Sequence, residues 1–208
     1  MDPLSSELAK KGISAAVESA KEFLSKLAGP AAEEIGLLLQ DQVKFYRFRN
    51  QLRILERAEE MLKKSGRAPK AVPYRTLLPI LETGATEDDE SLSIKWAALL
   101  ANAAAEPESM ASHPSFPRIL SEIAPVEAQL LDVLLSMDGE AGWNSFRTNF
   151  ASDRQVSEDE IDRYYGNLFR LGLIRIGSRE GFPKGVVSVS PFGKAFLSAC
   201  SPPERKAT

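Results

Sequence analysis

PYRTLLPILETGATEDDESLSIKWAALLANAAA, residues Pro73 to Ala105, is the stretch whose reading decides the fold. It joins a short apolar segment, an acidic turn and a helix. Thr86 stands where an N-cap belongs, with Glu87, Asp88 and Asp89 in the first turn, where carboxylates suit the helix dipole. Asp89, three residues after Thr86, completes an imperfect capping box. Leu92, Trp96, Leu99, Leu100 and Ala103 recur at helical spacing and predict one apolar face.

Working outward, Leu4 to Ala28 reads as a first amphipathic helix, broken at Gly29-Pro30. A long second helix is expected from Pro30 to about Lys64. Its seam is Leu38, Phe45, Phe48, Leu52, Leu55 and Leu62, and Gly66, Pro69 and Pro73 end it. Pro73 to Leu81 reads as a short helix kinked by Pro79. Glu106 to Ser112 is a loop, Ser112 a candidate cap, and Pro114 opens a short helix carrying Phe116 and Ile119.

From Pro125 the pattern changes. Val126–Met137 and Trp143–Phe150 read as helices, and Ser157 with Glu160 forms a capping box opening a third. LIRI (Leu173–Ile176) and VVSV (Val186–Val189) read as paired strands around a Gly177–Gly185 loop, and Ser190-Pro191 starts a closing helix. The expectation is a mainly α protein: a long-helix N-terminal region (1–72), a central helical region (73–124), a winged helix-turn-helix-like domain with a small β-hairpin (125–200) and a frayed tail (201–208).

Composition bounds the function. The 208 residues are 43% hydrophobic and 26% charged, with a formal net charge of −3, so the chain as a whole has no basic footprint for nucleic acid. One cysteine, Cys200, excludes an internal disulfide. The MDPLSSELAKKG start lacks the features of a signal peptide, and no apolar run reaches a membrane span, so a cytoplasmic protein is expected.

No catalytic constellation stands out. His113 is the sole histidine, neither H-E-x-x-H nor G-x-S-x-G occurs, and four-ligand Cys/His zinc fails by count. No enzyme, cofactor or metal is expected. Arg49, Arg53 and Arg57 form a basic ridge that could meet an anion; the preferred reading is a solvated face, or one turned to the Glu87–Glu90 turn. Arg179 and Lys184 are the corresponding candidates on the wing. The helix that would read DNA begins Glu158, Asp159, Glu160, with Asp162 one turn on, and residues 125–208 hold ten Lys or Arg against eleven Asp or Glu. That balance opposes a polyanion, so nucleic acid is disfavoured as a partner, a protein is preferred, and a homo-oligomer stays open.

The stretch LLPILETGATEDDESLSIKWAALLANAA, with HPSF (His113–Phe116) and APVEAQLL after it and GPAAEEIG and VKFYRFRNQL before it, resembles the Abi-alpha (abortive infection alpha) family. The likeness runs from about Ala28 to Leu131. It implies phage defence in bacteria and no particular reaction. Two other classes stay open from the residues: a winged-helix DNA-binding regulator, and a membrane-perturbing effector using the first two helices.

Overall fold

A computed structural model describes residues 18–19, 22–23, 25–27, 45–137, 141–179 and 182–205. These contain helices α1 (Phe45–Ser65), α2 (Tyr74–Gly84), α3 (Glu90–Ala105), α4 (Phe116–Ser121), α5 (Pro125–Ser136), α6 (Trp143–Arg154), α7 (Glu158–Arg170) and α8 (Pro191–Ala199). Strands β1 (Ala141–Gly142), β2 (Ile174–Arg179) and β3 (Phe182–Val189) complete them. The protein is mainly helical with a small antiparallel sheet. The chain divides into two compact units, one made of residues 1–121 and 199–208, the other of 122–198.

In the first unit α3 packs against α1 and α2. All five residues of its expected face are buried, but so are Ala97, Ala98, Ala101, Ala104 and Ala105. The helix is therefore enclosed on nearly every side, a correction to the single-face expectation. Alanine lets neighbours approach where a larger side chain would hold them off. Trp96 is 1% exposed. Its indole sits over Gly84, where a Cβ would come within 2.8 Å of Ile54 Cδ1 and 3.1 Å of the indole.

The cap of α3 is not Thr86. Asp89 holds the N-cap, its Oδ1 accepting from the Ser91 N–H at 2.9 Å and the Leu92 N–H at 3.0 Å. Thr86 turns back, its hydroxyl donating to the Thr83 carbonyl at 2.7 Å and finishing α2. A carboxylate accepts more strongly than a hydroxyl, so the acid nearest the apolar run takes the cap. Ser112 is likewise no cap: its carbonyl accepts from the Thr76 hydroxyl, while Ser109 caps the 3-10 turn Met110–Ser112. Pro79 lies inside α2, which continues to Gly84.

The first expected helix and the start of the second, residues 28–44, fall largely outside the described residues. Phe23 and Leu27 are buried, and the Leu27 carbonyl accepts from the Val72 N–H at 2.8 Å. Along α1 the core line is Ile54, Leu55, Ala58 and Leu62; Phe48 and Leu52 of the expected seam are only half-buried. Residues 201–205 have no regular structure, yet the Ser201 and Glu204 carbonyls accept from Asn102 and Arg67.

In the second unit the sheet order is β1-β3-β2, both pairings antiparallel. The hairpin strands run well beyond the expected LIRI and VVSV, replacing most of the expected loop. β1 was not foreseen: Ala141 and Gly142 pair with Val187 and Val186, and two residues are too short to show alternation. Ser190 links the sheet to α8, donating from its hydroxyl to the Gly172 carbonyl at 2.6 Å and accepting the Gly193 N–H at 2.8 Å. A Cβ on Gly193 would run into the Leu173 carbonyl, so only glycine allows this approach.

Three substitutions check this core. Trp96→Ala should lose about 3–5 kcal/mol of stability in thermal or denaturant unfolding. Trp96→Phe should lose much less, because the buried Trp96 Nε1 has no hydrogen-bond partner to forfeit. Gly84→Ala should lose about 1–3 kcal/mol by overpacking, and an unchanged melting curve would refute the close approach.

Candidate interaction surfaces

The basic ridge on α1 is turned into its own unit. Arg57 pairs with Glu90 and donates to Ser93 Oγ at 3.2 Å, and Arg53 stands 3.8 Å from the same carboxylate. Arg49 is exposed one turn earlier. Glu90 is the first residue of α3, so these pairs tie α1 to the start of the buried helix. Being partly exposed, they give orientation more than stability.

The stronger stitches are neutral. Asn50 is 4% exposed, and its Nδ2 donates to the Ala85 and Glu87 carbonyls at 3.1 Å each. Gln51 Nε2 donates to the Leu81 carbonyl at 3.2 Å. Asn102 Nδ2 reaches the Ala199 carbonyl at 2.9 Å and the Ser201 carbonyl at 2.7 Å. Amide side chains on helix faces look solvated in a sequence, and none of the three carries a signal there.

In the second unit the charged corner lies between α6 and α7. Arg147 pairs with Glu158 and, at 2.7 Å, with Asp162; the Thr148 hydroxyl donates to Glu158 at 2.8 Å. The Ser157–Glu160 capping box forms as expected: the Ser157 N–H donates to Glu160 at 2.9 Å and Ser157 Oγ accepts the Glu160 N–H at 3.2 Å. Thr148 first, then Arg147, holds the Glu158 carboxyl below its ordinary 4.5, and the bonds from Ser157 do the same for Glu160. The hydrogen bond to Glu158 raises the Arg147 guanidinium further. At the other end of α7, Asn167 bridges the Glu122 carbonyl and the buried Glu127 carboxylate, and Arg170 pairs with Glu122 at 2.7 Å.

Aromatic rings line α7. Tyr165 lies 4.3 Å from Trp143 and 6.3 Å from Phe169, centroid to centroid, and desolvation pushes the Tyr165 phenol upward. Phe169 is 52% exposed and Ile176 on β2 58%. A hollow of about 260 Å³ lies between α5 and α6, lined by Val133, Met137, Phe146, Asn149, Phe150 and Arg154 among others. Arg179 and Lys184 lie on β2 and β3, the two strands of the hairpin.

His113 is used structurally. Its Nδ1 lies 2.6 Å from Ser115 Oγ and its ring 5.4 Å from that of the fully buried Phe116, just ahead of α4. Cys200 is buried. Among the described residues no three His, Cys, Asp or Glu side chains gather in a way that could hold a metal ion. No helix there is long and apolar enough to cross a membrane.

These features define a two-unit, mainly helical protein held together at its helix ends by ion pairs and side-chain amide hydrogen bonds. The abortive infection alpha family model matches residues 49–200, and the chain belongs to that family. The match confirms the resemblance and moves it: it takes in the whole second unit and does not include residues 28–48. No curated protein and no solved structure matches the chain.

The depressed carboxyls set a pH dependence. Glu158 and Glu160 bind protons more weakly folded than unfolded, so their contribution is full above about 4.5 and is lost as pH falls through the lower folded values. The melting temperature should therefore drop on acidification below about pH 4.5. Arg147→Gln combined with Thr148→Val should flatten that drop by returning Glu158 to its ordinary value.

Proposed function

We propose that this protein acts in abortive infection by binding or scaffolding, with no chemistry of its own. In this reading the second unit is a winged helix-turn-helix turned to protein contact. The chain order helix, β1, helix, helix, hairpin and closing helix supports the winged-helix assignment. The observation that carries the protein-contact reading is the start of α7. The helix whose N-terminal residues would meet base edges opens with Glu158, Asp159 and Glu160. Arg147, the cation paired with Glu158 and Asp162, is spent on them instead of on phosphates. Affinity for a duplex rests on neutralising phosphates, and this helix end opposes it.

A second reading, a DNA-binding regulator, draws on the same order of elements and on Arg179 and Lys184 in the hairpin strands. The two readings separate experimentally. The protein should not bind duplex DNA in moderate salt, and Arg179→Glu with Lys184→Glu should leave its protein contacts intact. Duplex binding that this double substitution abolishes would establish the regulator. A host carrying the gene should give fewer plaques with at least one phage than a host without it. Equal counts across a broad phage panel would remove the defence role. Vesicle leakage tests the membrane-perturbing alternative, and none is expected at micromolar protein.

A further inference from the structure

The last described residues of the chain lie on the first unit. Asn102, in the last turn of α3, donates from Nδ2 to the Ala199 carbonyl at 2.9 Å and the Ser201 carbonyl at 2.7 Å. Arg67, just past α1, donates from Nε to the Glu204 carbonyl at 3.2 Å. Each of these bonds runs to a main-chain oxygen, which every polypeptide offers. The side chains of the segment count for less: Ser201, Pro202, Glu204 and Arg205 are exposed and Pro203 is half-buried.

Both donors are positioned by the first unit itself. Arg67 is paired with Glu106, and Asn102 Nδ2 lies 3.1 Å from the Ala98 carbonyl on its own helix. α3 is enclosed on nearly every side, so Asn102 stands on a rigid element. A site made of donors suits a segment rich in acceptors and poor in donors. Pro202 and Pro203 supply that: they lack N–H groups, fix their own φ and turn the residue before them toward extended backbone. A few hydrogen bonds at an exposed surface open readily, so the segment can leave without unfolding the unit.

We propose that Asn102 and Arg67 form a peptide-binding site for extended, proline-containing segments. Residues 199–205 fill it in cis, and such a segment of a protein partner fills it in trans by displacing them. Recognition uses main-chain carbonyls and the small entropy loss of ordering a proline-rich backbone. The cis segment competes at high effective concentration, so a partner binds weakly unless it is abundant or tethered nearby. The proposal concerns the first unit and stands apart from both readings of the second.

The test adds a fluorescent, N-acetylated peptide of residues 201–208, SPPERKAT, to the full chain and follows its anisotropy. Pro202→Gly with Pro203→Gly in the chain should tighten peptide binding about tenfold over wild type, because the loosened cis segment loses more entropy on docking. In that background Asn102→Ala and, separately, Arg67→Lys should each weaken binding about fivefold or more. Alanine suits a helix interior, and lysine keeps a charge opposite Glu106 while giving up the Nε donor, so melting should stay near that of the parent. The same peptide with glycines for its two prolines should bind about fivefold more weakly. No binding to the doubly substituted chain at about 1 mM peptide overturns the site, as does binding that Asn102→Ala and Arg67→Lys leave untouched. Equal affinity in wild type and the doubly substituted chain overturns the cis occupation. A dimer in sedimentation that the peptide dissolves assigns the site to the tail of a second copy and overturns the partner.

Discussion

The first unit depends on a space limit at Gly84. Trp96 of α3 and Ile54 of α1 meet over a residue with no side chain, and one added carbon would touch both. That contact fixes how far α2 stands from the other two helices. The neutral stitches follow from it. With the end of α2 held against α1, the Ala85 and Glu87 carbonyls come within reach of Asn50, and the Leu81 carbonyl within reach of Gln51. Burying backbone carbonyls without such donors would cost more than the stitches gain in isolation. Apolar packing and polar satisfaction therefore specify one arrangement together.

The second unit solves a different problem, the crowding of acids at one helix end. Glu158, Asp159, Glu160 and Asp162 suit the dipole of α7 but repel one another. Thr148, Arg147 and Ser157 take up three of the four as hydrogen-bond or ion-pair acceptors. The corner between α6 and α7 is thereby fixed by charge, while the aromatic rings of Trp143, Tyr165 and Phe169 run toward the surface.

Elements with strong periodicity or an explicit signal were legible in the sequence: the Ser157 capping box, the buried Trp96 and Phe116, the hairpin, and the family from its central stretch. What was not legible depended on competition or on distance in the chain. Thr86 and Asp89 both had the chemistry of a cap, and only the true start of α3 chose between them. β1 is defined by its partner Val186–Val187, which no local pattern reveals. The ridge arginines are ambiguous in sequence because their acceptor, Glu90, lies 33 residues from Arg57.

The return of residues 199–205 to the first unit has a bearing on synthesis. Asn102 is made early, but the carbonyls it reaches at Ala199 and Ser201 leave the ribosome almost a hundred residues later. Residues 122–198, which form their own unit, emerge in between and can fold as they appear. The unit begun first is therefore completed last. Until then its end of α3 lacks the hydrogen bonds that Asn102 makes to the chain's last turn.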